Sequence, residues 1–229
     1  MYAKIKSKLI AGLDFCHAHG FAILFGLMVG IMICLMVAPR PAKAAEINIP
    51  RAALAHKSLL IRTGHAYWGL DAPIATFAAQ IHAESRWRTS AVSPVGARGM
   101  AQFMPATSDW ISRIYPHLAD NQPTNPAWDI RALVTYDRYL WDRVSAANAC
   151  NRMAKSLASY NGGLGWVQKD ERLARAKGLD PALWFGSVEN VNSGRRASAK
   201  KENREYPRRI LLDYEPAYES AGFGRGMCP

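Results

Sequence analysis

Apolar residues recur at helical rather than strand spacing through most of this chain. In the segment 71–85, Asp71 can cap a helix and Pro73 suits its first turn. The apolar residues that follow on one helical face are Ile74, Phe77, Ala78 and Ile81. No alternating apolar–polar run is long enough to build a sheet. We therefore expect a mainly α fold with at most a small β-hairpin.

Other stretches carry the same helical rhythm. They are 50–70, 99–115 with an interruption at Pro105, 127–144, 149–167 with a break at Gly162-Gly163, and a short segment within 205–220. Segments 88–98 and 121–126 are expected to be loops, because Pro, Gly, Ser and Asn cluster there. Residues 186–204 are polar and predict a loop or flexible lobe, part of a polar lobe near 165–201.

The first 44 residues read as an export segment. Three lysines precede residues 21–38, an 18-residue run without a charge, and Ala42-Lys43-Ala44 fits a signal-peptidase site. The run is short for a membrane span and long for a signal peptide. We therefore expect 1–44 to be either a cleaved signal peptide or an N-terminal membrane anchor. Residues 45–229 would then form one periplasmic domain.

The chain is basic, with a net charge of +11. The segment 1–44 holds five basic residues and one acidic residue, so about +7 belongs to the exported part. Such a charge attracts any polyanion, including nucleic acid, anionic lipid and anionic cell-wall polymers. Export and the lack of a nucleic-acid motif argue against nucleic acid as a partner.

Export also changes the meaning of the cysteines. Cys150 and Cys228 remain after the export segment, and an oxidising compartment favours a disulfide between them. The alternative is a pair of buried thiols. The spacing of Cys and His resembles no zinc site, and we expect no metal or cofactor.

Glu84 is a candidate catalytic carboxylic acid. It follows Ile81 by three positions and Phe77 by seven, so it shares their apolar face at the helix C-terminus. The helix dipole and desolvation would both raise its pKa, which suits a general acid. The alternative is an ion pair with Arg86 or Arg98, which would lower the pKa of Glu84. Spacing alone does not choose between them.

The residues around Glu84 resemble the motifs of the soluble lytic transglycosylase (SLT) family, bacterial enzymes with a goose-type lysozyme-like fold that cleave peptidoglycan. The first motif matches without a gap at Glu84-Ser85, Trp87, Ser93–Gly99, Gln102, Met104-Pro105 and Thr107. The family's Ala-Tyr-Asn appears as Ser159-Tyr160-Asn161. Its Asn-Ile-x-x-Gly-x-x-Tyr-Leu is echoed by residues 128–140, and its Glu-Thr-x-x-Tyr by Glu202 and Tyr206. This sequence departs from the family's motifs at Arg88-Thr89, Met100-Ala101 and Leu133.

The resemblance implies roles for these residues. Glu84 would be the single acid/base of the site. Ser93, Gln102, Met104 and Tyr160 would line the site around bound N-acetylmuramic acid (MurNAc). Asn161 would support it, and Glu202 and Tyr206 would form the distal wall. The implied reaction cleaves the β-1,4 bond between MurNAc and N-acetylglucosamine (GlcNAc) and closes a 1,6-anhydro ring on MurNAc. The implied partners are peptidoglycan glycan strands, and by analogy components of a secretion or conjugation apparatus.

Two other functions stay open. A lysozyme-type muramidase needs a second carboxylate, and the candidates Asp109, Asp129 and Asp137 are expected at the surface or in capping positions. An inactive, glycan-binding subunit of an envelope-spanning machine is the third reading, against which the intact Glu84 motif argues.

Overall fold

Eight α-helices make up most of residues 47–229, the part of the chain that the computed structural model describes. They are α1 (Arg51–Trp68), α2 (Ile74–Ser85), α3 (Pro105–Ile114), α4 (Pro126–Trp141), α5 (Ala149–Gly162), α6 (Leu164–Ala176), α7 (Ala197–Arg208) and α8 (Glu215–Ser220). Pro116–Leu118 and Val188–Asn190 are 3₁₀ turns, and Arg209–Tyr214 is a π-helical segment between α7 and α8. Two isolated bridges, Val92–Arg98 and Arg98–Phe103, are the β pairing of this part of the chain. The predicted mainly α fold is confirmed.

Helix α2 lies in the core. Ten of its twelve residues are buried, because small side chains such as Ala75, Ala78 and Ala79 let neighbouring elements approach from several sides. It packs against α1, α8 and the π-helical segment, whereas α5 packs against α4, α6 and α7. Glu84 is the penultimate residue of this buried helix and lies where the helix leaves the core.

The start of α3 differs from the prediction. Helical structure was expected from Gly99 onward, but residues 99–104 form turns and an isolated bridge, and the helix begins at Pro105. Proline lacks an amide hydrogen and has a helical φ, so it starts a helix more readily than it interrupts one.

The prediction of a loop or flexible lobe at 186–204 is wrong over its second half, where α7 begins at Ala197, and α6 occupies most of the rest of the polar lobe. The reason is a buried ionic cluster. The Asp170 carboxylate is fully buried, accepts a hydrogen bond from Arg204 Nη2 at 2.6 Å and lies 3.7 Å from Arg195 Nε. A polar sequence therefore acquires order through paired charges rather than through apolar burial.

The structure pairs Cys150 with Cys228, as predicted; their Cα atoms lie 4.7 Å apart and the residues are 78 positions apart in sequence. The bond ties the start of α5 to the C-terminal residues. None of the helices within 47–229 is long and apolar enough to cross a membrane. The predicted signal peptide or anchor, 1–44, lies outside the described residues.

Candidate active site

Glu84 is held at the end of α2 by a sharp turn. The next two residues, Arg86 and Trp87, both have left-handed backbone angles, with φ of 54° and 65°. The Arg86 amide donates to the His82 carbonyl at 2.9 Å, and the buried Trp87 indole donates to the Tyr218 hydroxyl at 2.7 Å. Left-handed geometry is unfavourable for such side chains, so this anchoring maintains a turn that would otherwise relax.

The Glu84 carboxyl group is partly buried, and burial raises its pKa to about 7. The Tyr206 hydroxyl donates a hydrogen bond to Glu84 Oε1, which opposes the rise, as does the charge of Arg209; the charge of Glu202 adds to it. The direction of this pKa shift agrees with the interpretation of Glu84 as a general acid. The alternative ion pair with Arg86 or Arg98 does not form, since Glu84 makes no salt bridge with residues 47–229.

A polar cavity of about 420 Å³ opens beside Glu84. Its walls include His82, Arg88, Arg209 and Tyr214. Sequence reasoning missed Arg209 and Tyr214, which come from the π-helical segment more than 120 positions away. No local pattern pointed to them.

Tyr160 and Tyr206 approach the carboxyl group from α5 and α7. Both pKa values are raised well above the ordinary tyrosine value, by burial first and by the charge of Glu84 next. The Tyr160 hydroxyl donates to the Ala101 carbonyl at 2.7 Å, which joins α5 to the loop that precedes α3. The structure thus brings both predicted tyrosines into the electrostatic reach of Glu84, and Tyr206 into direct contact.

Asn161 and Glu202 contact each other. Asn161 Nδ2 donates to Glu202 Oε1 at 3.3 Å, and Asn161 Oδ1 accepts from Asn203 Nδ2 at 3.1 Å. Asn203 in turn accepts from Arg204 Nη1 at 2.6 Å. The chain of bonds connects the rim of the site to the buried Asp170 cluster. Asn203 and Arg204 were not singled out from the sequence.

Ser93, Gln102 and Met104 lie on the loop between α2 and α3. Ser93 Oγ accepts the Ala97 amide at 2.9 Å, so its hydroxyl shapes a turn. Gln102 has a left-handed φ of 51°, and its Nε2 donates to the Gly99 carbonyl at 2.8 Å. Met104 is exposed at the start of α3. The first two side chains therefore brace the loop, and Met104 presents an apolar surface to solvent.

The expectation that Asp129 and Asp137 lie at the surface is wrong. Asp129 Oδ2 accepts the Ala101 amide at 3.0 Å, and burial raises the pKa of Asp129 to about 8. Asp137 is fully buried, accepts from Gln80 Nε2 at 3.3 Å, and has a pKa raised well above its ordinary value by burial. Asp109 is exposed, as predicted. Asp137 follows Val134 by three positions on the apolar face of α4, which is the signal that could have shown its burial.

The described residues hold no group of three or more His, Cys, Asp or Glu side chains arranged to bind a metal ion. The chemistry available at this site is that of one carboxyl group with a pKa near neutrality, a tyrosine that donates to it, and a cationic wall. Such a group can both donate and accept a proton near neutral pH.

Known proteins resemble this chain in sequence and in fold. The family model described as the transglycosylase SLT domain matches residues 65–182. Membrane-bound lytic murein transglycosylase F of Shewanella frigidimarina is 33% identical over 108 residues, 47% of this chain and 21% of that protein. The protein of the same name from Vibrio parahaemolyticus is 34% identical over 108 residues, 47% of this chain and 19% of that protein. This chain therefore spans about a fifth of the length of these relatives.

The crystal structure of the 70 kDa soluble lytic transglycosylase from Escherichia coli superposes with a TM-score of 0.53 at 23% identity, covering 76% of this chain and 25% of that one. That likeness shows the fold, which is the lysozyme-like fold implied by the sequence motifs. Because the SLT model covers more than half of the residues, including the segment around Glu84, the chain belongs to the transglycosylase SLT domain family.

Proposed function

We propose that this chain is a peptidoglycan lytic transglycosylase that cleaves the MurNAc–GlcNAc β-1,4 bond with Glu84 as its single acid/base. The observation that carries the proposal is the Glu84 carboxyl group, with a pKa of about 7 and a hydrogen bond from Tyr206, at the end of a buried helix within the family's motif. The names of the similar proteins, lytic murein transglycosylases, support the same substrate.

In this reaction, protonated Glu84 donates its proton to the glycosidic oxygen as the bond to C1 of MurNAc breaks. The resulting carboxylate then removes the proton of the MurNAc 6-hydroxyl, whose oxygen bonds to C1 and closes the anhydro ring. Glu84 ends protonated as it began, and no water is consumed. The Tyr206 hydroxyl stabilises the intervening carboxylate, because its hydrogen bond favours the ionised form.

A muramidase would require a second carboxylate in ionised form. Asp129 and Asp137 do not suit this role, since burial raises the pKa of both and so disfavours their ionised form. Within residues 47–229, Glu202 is the acidic group that favours this alternative, because it is exposed and its charge acts on Glu84. It is held by the Asn161 amide.

Purified sacculi incubated with the full chain, wild type or Glu84→Gln, would test the proposal by mass spectrometry of the released muropeptides. We expect anhydro-muropeptides, lighter by one water than hydrolysis products, from the wild type alone. Reducing-end products that Glu202→Gln abolishes would establish the muramidase. Intact sacculi that bind the wild-type chain without any release would establish the glycan-binding subunit.

The proposed place of action is the periplasm, with residues 1–44 as a cleaved signal peptide or an inner-membrane anchor. The names of the relatives, membrane-bound murein enzymes, support an envelope location. The proposed partners are peptidoglycan glycan strands and, by analogy, components of a secretion or conjugation apparatus. Fractionation of cells into periplasm and membrane, followed by mass determination of the mature chain, would decide between cleavage and anchoring.

A further inference from the structure

One buried hydroxyl group contacts residues on both sides of Glu84. The Trp87 indole Nε1 donates to the Tyr218 hydroxyl at 2.7 Å, and the same hydroxyl oxygen lies 3.0 Å from His82 Nδ1. His82 precedes Glu84 by two positions, and Trp87 follows it by three. Tyr218 comes from α8, outside the residues 65–182 that match the family model. A helix distant in sequence therefore holds the segment that carries Glu84 at two points.

The Tyr218 hydroxyl can make both contacts at once. An indole N–H can only donate, so the Tyr218 oxygen accepts from Trp87, and its own hydrogen remains for His82 Nδ1. His82 is then neutral, in agreement with burial and the charge of Arg86, which lower the pKa of His82. The three bonded side chains are buried, so phenylalanine at position 218 would leave a donor and an acceptor in the interior without a partner.

The turn after Glu84 depends on an anchor of this kind. Arg86 and Trp87 both have left-handed backbone angles, which are unfavourable for residues that carry a side chain. The Trp87 side chain is 1% exposed and is bound at its indole nitrogen by Tyr218. If that bond were lost, the backbone could relax, and Glu84, only two residues before Arg86, would move with it.

The C-terminal residues keep Tyr218 in place. The Phe223 ring packs edge-on against the Tyr218 ring, with centroids 4.9 Å apart. At the start of α8, Glu215 Oε1 accepts the Cys228 amide at 2.9 Å, and Cys228 is joined to Cys150 by the disulfide. Helix α8 is thereby tied to α5, and Tyr218 offers a fixed point of attachment to the turn.

The position of the Glu84 carboxyl group decides whether Tyr206 can bind it. The Tyr206 hydroxyl donates to Glu84 Oε1, and this bond lowers the pKa of Glu84 against the effect of burial. Tyr206 belongs to α7, whereas Glu84 belongs to α2, so the contact requires that the end of α2 lie at the correct place. Hydrogen bonds weaken steeply when the donor and acceptor are misaligned. A small displacement of the turn would therefore break this one.

We propose that Tyr218 is a positioning residue for Glu84. By holding the residues on either side, its hydroxyl keeps the Glu84 carboxyl group in contact with Tyr206. The inference rests on the proposed function for its effect on catalysis, whereas the contact itself can be measured without any substrate.

The experiment compares the pKa of Glu84 in four full-length proteins: wild type, Tyr206→Phe, Tyr218→Phe and the double variant. ¹³C NMR of labelled glutamate carboxyl groups follows the titration, and the signal that is absent from Glu84→Gln identifies Glu84. In the wild-type background, Tyr206→Phe should raise the pKa of Glu84 by about one unit. In the Tyr218→Phe background the same change should raise it by less than about half of that, because the contact is already lost.

Tyr67→Phe is the matched control, because it removes a hydroxyl that forms no hydrogen bond among residues 47–229 from a half-buried tyrosine of α1. In that background Tyr206→Phe should keep its full effect. Other groups whose charges interact with Glu84 are the same in every background, so their contributions cancel in each comparison: Arg209, Glu202, Asp129, Asp137 and Tyr160.

If Tyr218→Phe does not fold, Trp87→Phe replaces it, because it removes the donor from the other end of the same hydrogen bond. It should reduce the effect of Tyr206→Phe in the same way. In assays on glycan strands, Tyr218→Phe should lower kcat at least about tenfold and leave KM within about twofold, because the acid/base is displaced and the glycan contacts remain.

A full effect of Tyr206→Phe in the Tyr218→Phe background would overturn the proposal. So would the absence of any effect of Tyr206→Phe in the wild-type background, or an unchanged kcat for Tyr218→Phe in an active enzyme. Failure of the proposed function has a different signature: the pKa values show the expected coupling between the two tyrosines, but the wild-type chain releases no anhydro-muropeptide from sacculi.

Discussion

Replacing Glu84 by glutamine should stabilise the protein, by an amount that grows as the pH rises from about 4.5 and is complete above about 7. Burial raises the pKa of the folded carboxyl group from 4.5 to about 7. Between these values the unfolded chain releases a proton that the folded chain retains, so the stability of the wild type falls as pH rises. Glutamine cannot ionise, yet its amide oxygen can still accept the hydrogen bond of Tyr206.

The size of the effect follows from the pKa. A change from 4.5 to about 7 corresponds to about 3 kcal/mol in the free energy of unfolding above pH 7. Partial exposure of the side chain reduces this, and we expect about 2–3 kcal/mol, or about 5–10 °C in melting temperature for a domain of this size. Below pH 4.5 the two proteins should be equally stable, because both then carry a neutral side chain.

Denaturant unfolding of both proteins from pH 4 to pH 9, without reductant, measures this difference. Asp129 titrates in both proteins, so its contribution largely cancels. Glu205→Gln is the matched control, since this glutamate is exposed on α7 and its replacement should change stability by less than about 0.5 kcal/mol at any pH. A difference between Glu84→Gln and wild type that stays constant over the whole pH range would refute the reasoning.

Three further changes have distinct expected results. Tyr206→Phe removes the donor that lowers the pKa of Glu84, so the high-pH limb of kcat/KM should move upward by about one pH unit; an unmoved limb would contradict that role. Cys228→Ser opens a loop of 78 residues and should lower the free energy of unfolding by about 4 kcal/mol, measured against wild type without reductant. Gly99→Ala places a Cβ atom 1.8 Å from the Pro123 carbonyl oxygen at a φ of +81°, and should lower the melting temperature more than Gly178→Ala, which has a φ of +75° and no atom within 4 Å.

The sequence predicted those features that depend on local patterns. The apolar spacing located α2 and the position of Glu84 at its end. The resemblance of Glu202 and Tyr206 to the family's Glu-Thr-x-x-Tyr motif identified Tyr206, which the structure places in contact with the Glu84 carboxyl group. The expectation of an exported domain favoured the pairing of Cys150 with Cys228, because each of two cysteines in an oxidising compartment would have one possible partner, and the structure contains that disulfide.

Features that depend on distant segments could not be predicted in this way. Arg209 acts on Glu84 from a π-helical segment, and no local sequence pattern predicted that geometry. Asp170 and Arg204 are 34 positions apart, and their burial together converts an apparent loop into ordered structure. Charged residues are usually expected at the surface. That expectation fails where an oppositely charged residue on another helix pairs with them in the interior.

The burial of Asp129 and Asp137 bears directly on why Glu84 would be the acid/base. Burial raises the pKa of Glu84 to about 7 and that of Asp129 to about 8, and it raises the pKa of Asp137 well above its ordinary value. With a pKa of about 7, the Glu84 carboxyl group can exchange its proton near neutral pH. Ionised Glu84 raises the pKa of both aspartates, which holds their protons more tightly at the moment when Glu84 has lost its own. The proton that restores Glu84 must then come from the bound substrate or solvent rather than from the protein interior, and a substrate hydroxyl beside the carboxylate is the donor that a ring-closing reaction provides.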